Sequence, residues 1–183
     1  MQQSPIQLLP KLTLNVAPLA DFLANCPYWN ENKQRTAIEQ SPHREASDIW
    51  AHFVPVEKLG KSTEMGWYHD DLKALAEPLV KAVYDFVGGT ELGGVLITRI
   101  PAGKQVYRHL DSGWHASSFS KYCVCVRANP GQSFCFDGAE LRTNTGECFW
   151  FDNSYEHWVT NPSAEDRISM ITCIRTPRGI HEA

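Results

Sequence analysis

Polar and apolar residues alternate through Lys11-Leu12-Thr13-Leu14-Asn15-Val16, which predicts a half-buried strand. Residues 18–25 read as a short helix. Ile49, Ala51 and Phe53 alternate with Trp50, His52 and Val54, a second strand. The strongest helical pattern follows, because Leu72, Leu75, Leu79, Val83 and Phe86 form one apolar stripe. Asp70 or Asp71 is expected to cap its start and Gly88-Gly89 to close it. Pro78 lacks a backbone donor and predicts a kink or two short helices. Beyond Gly94 the texture changes to short apolar runs at Val95–Ile100, Tyr122–Val126, Ser133–Phe136, Cys148–Phe151 and Ile168–Ile174. Turn residues such as Pro101-Ala102-Gly103, Asn129-Pro130-Gly131 and Asp137-Gly138 separate them. This spacing predicts a mainly β fold with flanking helices, a sandwich or barrel of the jelly-roll, cupin-like kind. With no repeat or linker in sight, residues 1–183 read as a single domain, with 1–90 as helical and strand support for a β core at 94–177 that carries the site.

Composition narrows the function. The chain has 183 residues, 43% hydrophobic and 21% charged, which excludes a mainly disordered protein. Its net charge of -4 disfavours a nucleic-acid partner held through phosphates. No apolar run approaches the roughly 18 residues of a membrane span. The start, Met1-Gln2-Gln3-Ser4-Pro5, lacks a signal pattern, so a cytoplasmic protein without membrane partners is expected. Cys26, Cys123, Cys125, Cys135, Cys148 and Cys173 lack the paired C-x-x-C knuckles of structural zinc and read as reduced core thiols.

The residues that carry chemistry are spread along the β-rich part. His109-Leu110-Asp111 is an H-x-D triplet, and on a strand its two polar side chains would point the same way. His69-Asp70-Asp71 repeats the pattern, but it sits at a helix start, where capping explains the carboxylates. The downstream context separates the two. His157 follows the aromatic block Phe149-Trp150-Phe151, and Arg167-Ile168-Ser169 lies ten residues further on. Two histidines and one carboxylate are the donor set of non-haem Fe(II) oxygenases. A buried guanidinium with a hydroxyl beside it suits an organic carboxylate.

In this combination the sequence resembles the Fe(II)/2-oxoglutarate-dependent oxygenases, and among them the aspartyl/asparaginyl β-hydroxylase family. The stretch Thr98-Arg99-Ile100-Pro101-Ala102-Gly103-Lys104-Gln105-Val106-Tyr107-Arg108-His109 is similar to that family's strand, turn and first metal histidine. Gly146-Glu147-Cys148-Phe149-Trp150-Phe151-Asp152-Asn153-Ser154-Tyr155-Glu156-His157 is similar to its second block. The resemblance implies a double-stranded β-helix with iron at its mouth. It implies that His109, Asp111 and His157 hold the metal, that Arg167 and Ser169 bind 2-oxoglutarate, and that Thr98 and Tyr122 add co-substrate contacts. Animal members that modify growth-factor-like domains lack the triad carboxylate, so Asp111 makes this chain look like bacterial or phage members. Arg44 and Arg108 are candidate anchors for a substrate carboxylate. Trp114 and His115, in the loop after the triplet, are further candidates for substrate contact.

The activity implied is hydroxylation of an amino-acid unit with Fe(II), 2-oxoglutarate and O2, the co-substrate being decarboxylated to succinate. The unit would be an Asp or Asn residue in a polypeptide, or a free amino acid such as proline. The alternative is a non-enzymatic cupin-like metal-binding module, which has no need of Arg167. A nucleic-acid demethylase of the same superfamily is disfavoured by the acidic balance and by the Arg167–Arg175 spacing. Oligomeric state is not legible in the sequence.

Overall fold

The computed structural model describes residues 4–54, 58 and 64–177 of the chain. In order, its elements are β1 (Ile6–Thr13), α1 (Ala17–Ala24), β2 (Ser47–Phe53), β3 (Gly66–Trp67), α2 (Asp70–Phe86), β4 (Glu91–Ile100) and β5 (Gln105–His109). Then come α3 (Trp114–Ser118), β6 (Ser120–Arg127), β7 (Ser133–Phe136), β8 (Ala139–Leu141), β9 (Glu147–Phe151), β10 (His157–Thr160) and β11 (Arg167–Arg175). The strands form a seven-stranded sheet, ordered β1-β9-β6-β11-β4-β2-β3, and a four-stranded sheet, ordered β5-β10-β7-β8. Antiparallel neighbours distant in sequence, such as β11 between β6 and β4, make this a jelly roll of the double-stranded β-helix kind.

Side-chain alternation along the strands sorts the core into two layers. One face of the large sheet, with Ile49, Ile97, Val124 and Met170, packs against Leu19 and Leu23 of α1 and Leu72, Ala76 and Val83 of α2. The other face meets the small sheet, so that Ile100, Phe149 and Phe151 lie with Val106, Phe134 and Val159. Neighbours on one strand therefore serve different layers. On β6, Tyr122 and Val124 join the helix-side core, whereas Cys123 joins the interior of the roll.

The sequence pattern and the structure differ at identifiable places. The first strand begins earlier, at Ile6, because it pairs with β9 through Ile6↔Phe151 and Leu8↔Phe149. After Thr13 the chain leaves the ladder, and Leu14 N–H donates to the Gly146 carbonyl at 2.9 Å. The long helix is one piece through Pro78 rather than two. Pro78 and Ala74, whose carbonyl loses its donor, are both exposed, so that carbonyl is open to solvent while the buried stripe stays docked. His69, not an aspartate, occupies the N-cap, and Asp70 and Asp71 lie in the first turn, where the helix dipole favours them. Gly88 ends the helix at φ 66°, as the glycine pair predicts. All six cysteines are free and buried. Among the described residues no helix is long and apolar enough to cross a membrane.

Candidate active site

The two sheets enclose a cavity of about 220 Å³. His109 ends β5 and His157 opens β10, and the two are directly paired across the small sheet. The step from His157 to Val159 faces the longer step from His109 to Val106, so the register shifts between them. That irregularity lets Val106 and His109 both line the cavity, which strict alternation would forbid. The rings lie 4.4 Å apart between centroids. Each Nδ1–H donates to a backbone carbonyl two residues back, Tyr107 at 2.8 Å and Tyr155 at 2.9 Å. A carbonyl can only accept, so each imidazole is oriented with its Nε2 lone pair free.

Asp111 completes the cluster by a different route from the one its spacing predicts. β5 stops at His109, so Asp111 comes from the loop beyond it and not from strand alternation. Its Oδ1 lies 3.7 Å from His109 Nε2, and its Oδ2 accepts from Lys121 Nζ at 2.6 Å. The ligand atoms of His109, Asp111 and His157 all lie within 4.8 Å of one another. Two neutral imidazoles and a carboxylate so placed suit a divalent transition metal with positions left open. Burial would push the Asp111 carboxyl up, but the Lys121 ammonium overrides this and holds it below the usual carboxylate range. Lys121 was not legible as a site residue. We expect Lys121→Met to weaken Zn(II) binding, read by titration calorimetry, by about 10- to 100-fold, as for other groups that support a metal ligand.

Burial pushes the His157 imidazole down to about 4 and lowers His109 as well. His43, edge-on to His109 with centroids 4.6 Å apart, is also held well below its ordinary value by burial and then by the Arg35 charge. Groups with a depressed folded value are protonated more readily in the unfolded chain. The stability they confer is present above the ordinary 6.5 and is lost as pH falls toward about 4. The melting temperature of the metal-free protein should therefore drop across that window; a flat profile would contradict buried neutral imidazoles.

Arg167 and Ser169, expected from the sequence to bind a carboxylate, line the same cavity. Arg167 and Ser169 share one face of β11, and both are buried, with 2% and 3% exposure. Arg167 Nη1 donates to Ser169 Oγ at 3.1 Å, while its Nε is buried without a partner among the described residues. A buried guanidinium bonded to a neutral hydroxyl, with no carboxylate partner among the described residues, suits an anion, and the dicarboxylate 2-oxoglutarate fits it. Thr98 also lines the cavity, but its hydroxyl donates to Asp48 Oδ1 at 2.9 Å and accepts from Arg35 at 3.0 Å. Arg35 in turn grips the fully buried Asp48, with Nε–Oδ2 at 2.6 Å.

Tyr122 requires correction: it lies on the helix side of the large sheet, in the core with Val124 and Trp150, and does not line the cavity. The parity of β6 instead gives the interior to Lys121 and Cys123. Arg44 lies outside the cavity, exposed, over the Tyr107 ring at 3.5 Å. Arg108 is also outside, paired with Asp137 and Glu156 and stacked on Trp158. His115 lines the cavity and its ring donates to the Gly93 carbonyl at 2.6 Å, whereas Trp114 beside it is 57% exposed. Arg35, Trp50 and His52, from the first ninety residues, line the same cavity. Their one sequence trace was the alternation around Trp50. The earlier triplet lies elsewhere, with His69 stacked on Tyr28 at 3.5 Å and bonded to Glu31 at 2.8 Å.

A jelly roll enclosing two histidines and an aspartate, with a buried arginine further along the same cavity, defines an Fe(II)/2-oxoglutarate-dependent oxygenase. Residues 27–177 match the family described as Aspartyl/Asparaginyl beta-hydroxylase, and the chain belongs to that family. It is an enzyme of the dioxygenase class, whose cofactor set is Fe(II), 2-oxoglutarate and O2. Comparison with curated proteins by sequence gave no match. Among solved structures, the chain resembles an oxidoreductase of the 2OG-Fe(II) oxygenase family from Burkholderia pseudomallei, 15% identical with a TM-score of 0.62, over 93% of this chain and 84% of that one. It also resembles a prolyl hydroxylase from Trichoplax adhaerens in complex with a hypoxia inducible factor peptide fragment, 11% identical with a TM-score of 0.56, over 93% and 83%. A third is the viral collagen prolyl hydroxylase of Paramecium Bursaria Chlorella virus-1 in its 2OG complex, 14% identical with a TM-score of 0.52, over 96% and 97%. At these identities the likeness is one of fold.

Proposed function

We propose that the protein hydroxylates an amino-acid unit, with His109, Asp111 and His157 holding the ferrous ion and Arg167 and Ser169 holding 2-oxoglutarate. When bound, the metal supplies oxygen activation coupled to decarboxylation of the co-substrate to succinate. The chain's own residues do the rest. The Tyr107 and Tyr155 carbonyls orient the two imidazoles, and Lys121 keeps Asp111 ionised. The Arg167 fork fixes the far carboxylate, so the keto-acid end is directed along the cavity toward the triad. The Arg35–Asp48–Thr98 cluster braces β2 against β4 beside that carboxylate; we assign Thr98 to this bracing and not to a direct bond with the co-substrate. The enclosing wall limits water around the reacting groups.

The observation that carries this reading is a buried Arg167, its Nε without a partner among the described residues, lining the same cavity as the three metal donors. It also argues against a cupin module that only binds metal. The peptide held by the Trichoplax neighbour and the collagen named for the viral one support a polypeptide as substrate. The test is succinate release from 2-oxoglutarate with Fe(II) and O2, over a panel of free amino acids and peptides. Substrate-stimulated succinate formation supports the proposal; a protein that binds Fe(II) but never consumes 2-oxoglutarate with any of them contradicts it.

A further inference from the structure

We infer, building on the oxygenase reading above, that the substrate presents an uncharged apolar residue within a polypeptide, and not an aspartate or a free amino acid. The cavity has a closed end and a mouth. Arg167 and Ser169 are buried, whereas His52, Phe53 and His115 are half-buried. The strand register orders the wall between them. From the Ser169↔Thr98 pair it passes to Ile171 beside Leu96, which pairs with Trp50 of β2, and then to Cys173 beside Gly94. At Gly94 (φ 154°) a Cβ would lie 3.2 Å from the Phe53 ring and 3.4 Å from the His52 carbonyl, so bare backbone keeps this space open. The wall between the two ends is thus aliphatic and aromatic, with the His52 and His115 imidazoles beside Phe53 at the mouth.

Charge decides the class of residue that can enter. Among the described residues three cations line the cavity, Arg35, Lys121 and Arg167. Asp48 engages Arg35 through two bonds, at 2.6 and 3.2 Å. Asp111 engages Lys121 at 2.6 Å, and Arg167 sits at the co-substrate end. An aspartate side chain or a free α-carboxylate would be buried without a counter-charge, which is costly. An α-ammonium would fare no better, because the two lining or bracing carboxylates, Asp111 and Asp48, are already paired. Burial keeps the His52 and His115 imidazoles neutral. Trp50 lines the cavity beside Leu96, and its indole gives the entering side chain an aromatic surface to pack on. Leu110, Trp114 and Tyr155 are exposed by 53%, 57% and 48%, each within three residues of a proposed ligand in the chain, and give apolar surface that residues flanking the one that enters could meet.

The experiment uses the full-length protein loaded with Zn(II) and then 2-oxoglutarate, so that no turnover intervenes, and titrates it by calorimetry. The probes are blocked Gly/Ser peptides with a central Leu, Phe or Asp, and the free amino acids Leu, Phe and Asp. The Leu or Phe peptide should bind at least about tenfold tighter than the Asp peptide and than any free amino acid. Trp50→Ala should weaken that peptide about tenfold while changing the 2-oxoglutarate dissociation constant by less than about twofold. Equal or tighter binding of the Asp peptide or a free amino acid, or no binding by any probe, overturns the inference. The loading steps separate the two claims. Failure to bind Zn(II) and 2-oxoglutarate strikes the oxygenase reading, whereas normal loading followed by the wrong preference strikes only this one.

Discussion

Replacing His109 or Asp111 with alanine should abolish ferrous-ion binding, while His69→Ala leaves it intact. The three donors lie within 4.8 Å of one another, and among the described residues no other group belongs to that cluster. Losing one of three protein ligands should cost more than the about 10- to 100-fold typical of a supporting group. The His69 substitution is the matched control. It shares the triplet pattern, but its ring stacks on Tyr28 and pairs with Glu31 at the start of α2. Equilibrium dialysis with Fe(II) under nitrogen, together with circular dichroism to confirm folding, measures all three variants. Retained binding in His109→Ala, or its loss in His69→Ala, would show the centre to be misassigned.

Arg167→Ala should raise the 2-oxoglutarate requirement steeply and leave metal binding in place. Truncating one partner of a buried charged pair costs about 2–5 kcal/mol, which is more than tenfold in affinity. Arg167→Lys should recover only part of this, because an ammonium cannot form the two parallel bonds of a guanidinium. Without co-substrate the effect on stability should be modest. The wild-type Arg167 Nε is buried unmatched, so removing the charge should not lower the melting temperature of the free protein as much as an ordinary core truncation would. A rise in the 2-oxoglutarate KM with stability preserved supports the anion site. An unchanged KM contradicts it.

These two sets of residues were legible in the sequence for different reasons. His157, Arg167 and Ser169 could be read because β10 pairs without a shift against β7, and β11 against β4, where those residues stand, so spacing puts Arg167 and Ser169 on one face. His109 and Asp111 could be paired, but not for the reason alternation gives. A register shift aims His109 inward and a loop brings Asp111. Tyr122 failed on parity, since a one-residue difference along β6 exchanges the helix-side core for the cavity. That exchange also hid Lys121. Arg35, Asp48 and Trp50 were missed because their meaning is tertiary. β2 acquires a role at the site only by pairing with β4, and Asp48 looks like any surface carboxylate until Thr98 and Arg35 close around it. Pro78 misled in the opposite direction, because propensity rules count the lost hydrogen bond but not the exposure that leaves the carbonyl open to solvent.

The central claim is that one cavity brings a ferrous centre and a keto-acid anchor together, and a single optical titration tests it most directly. Fe(II) and 2-oxoglutarate are added without oxygen, and the visible charge-transfer absorption of a 2-oxo acid chelated to Fe(II) is followed. The band should saturate at one equivalent of each in the wild type, need far more 2-oxoglutarate in Arg167→Ala, and be absent in His109→Ala. A wild-type protein that binds Fe(II) yet develops no band, or a band that persists without His109, would contradict it.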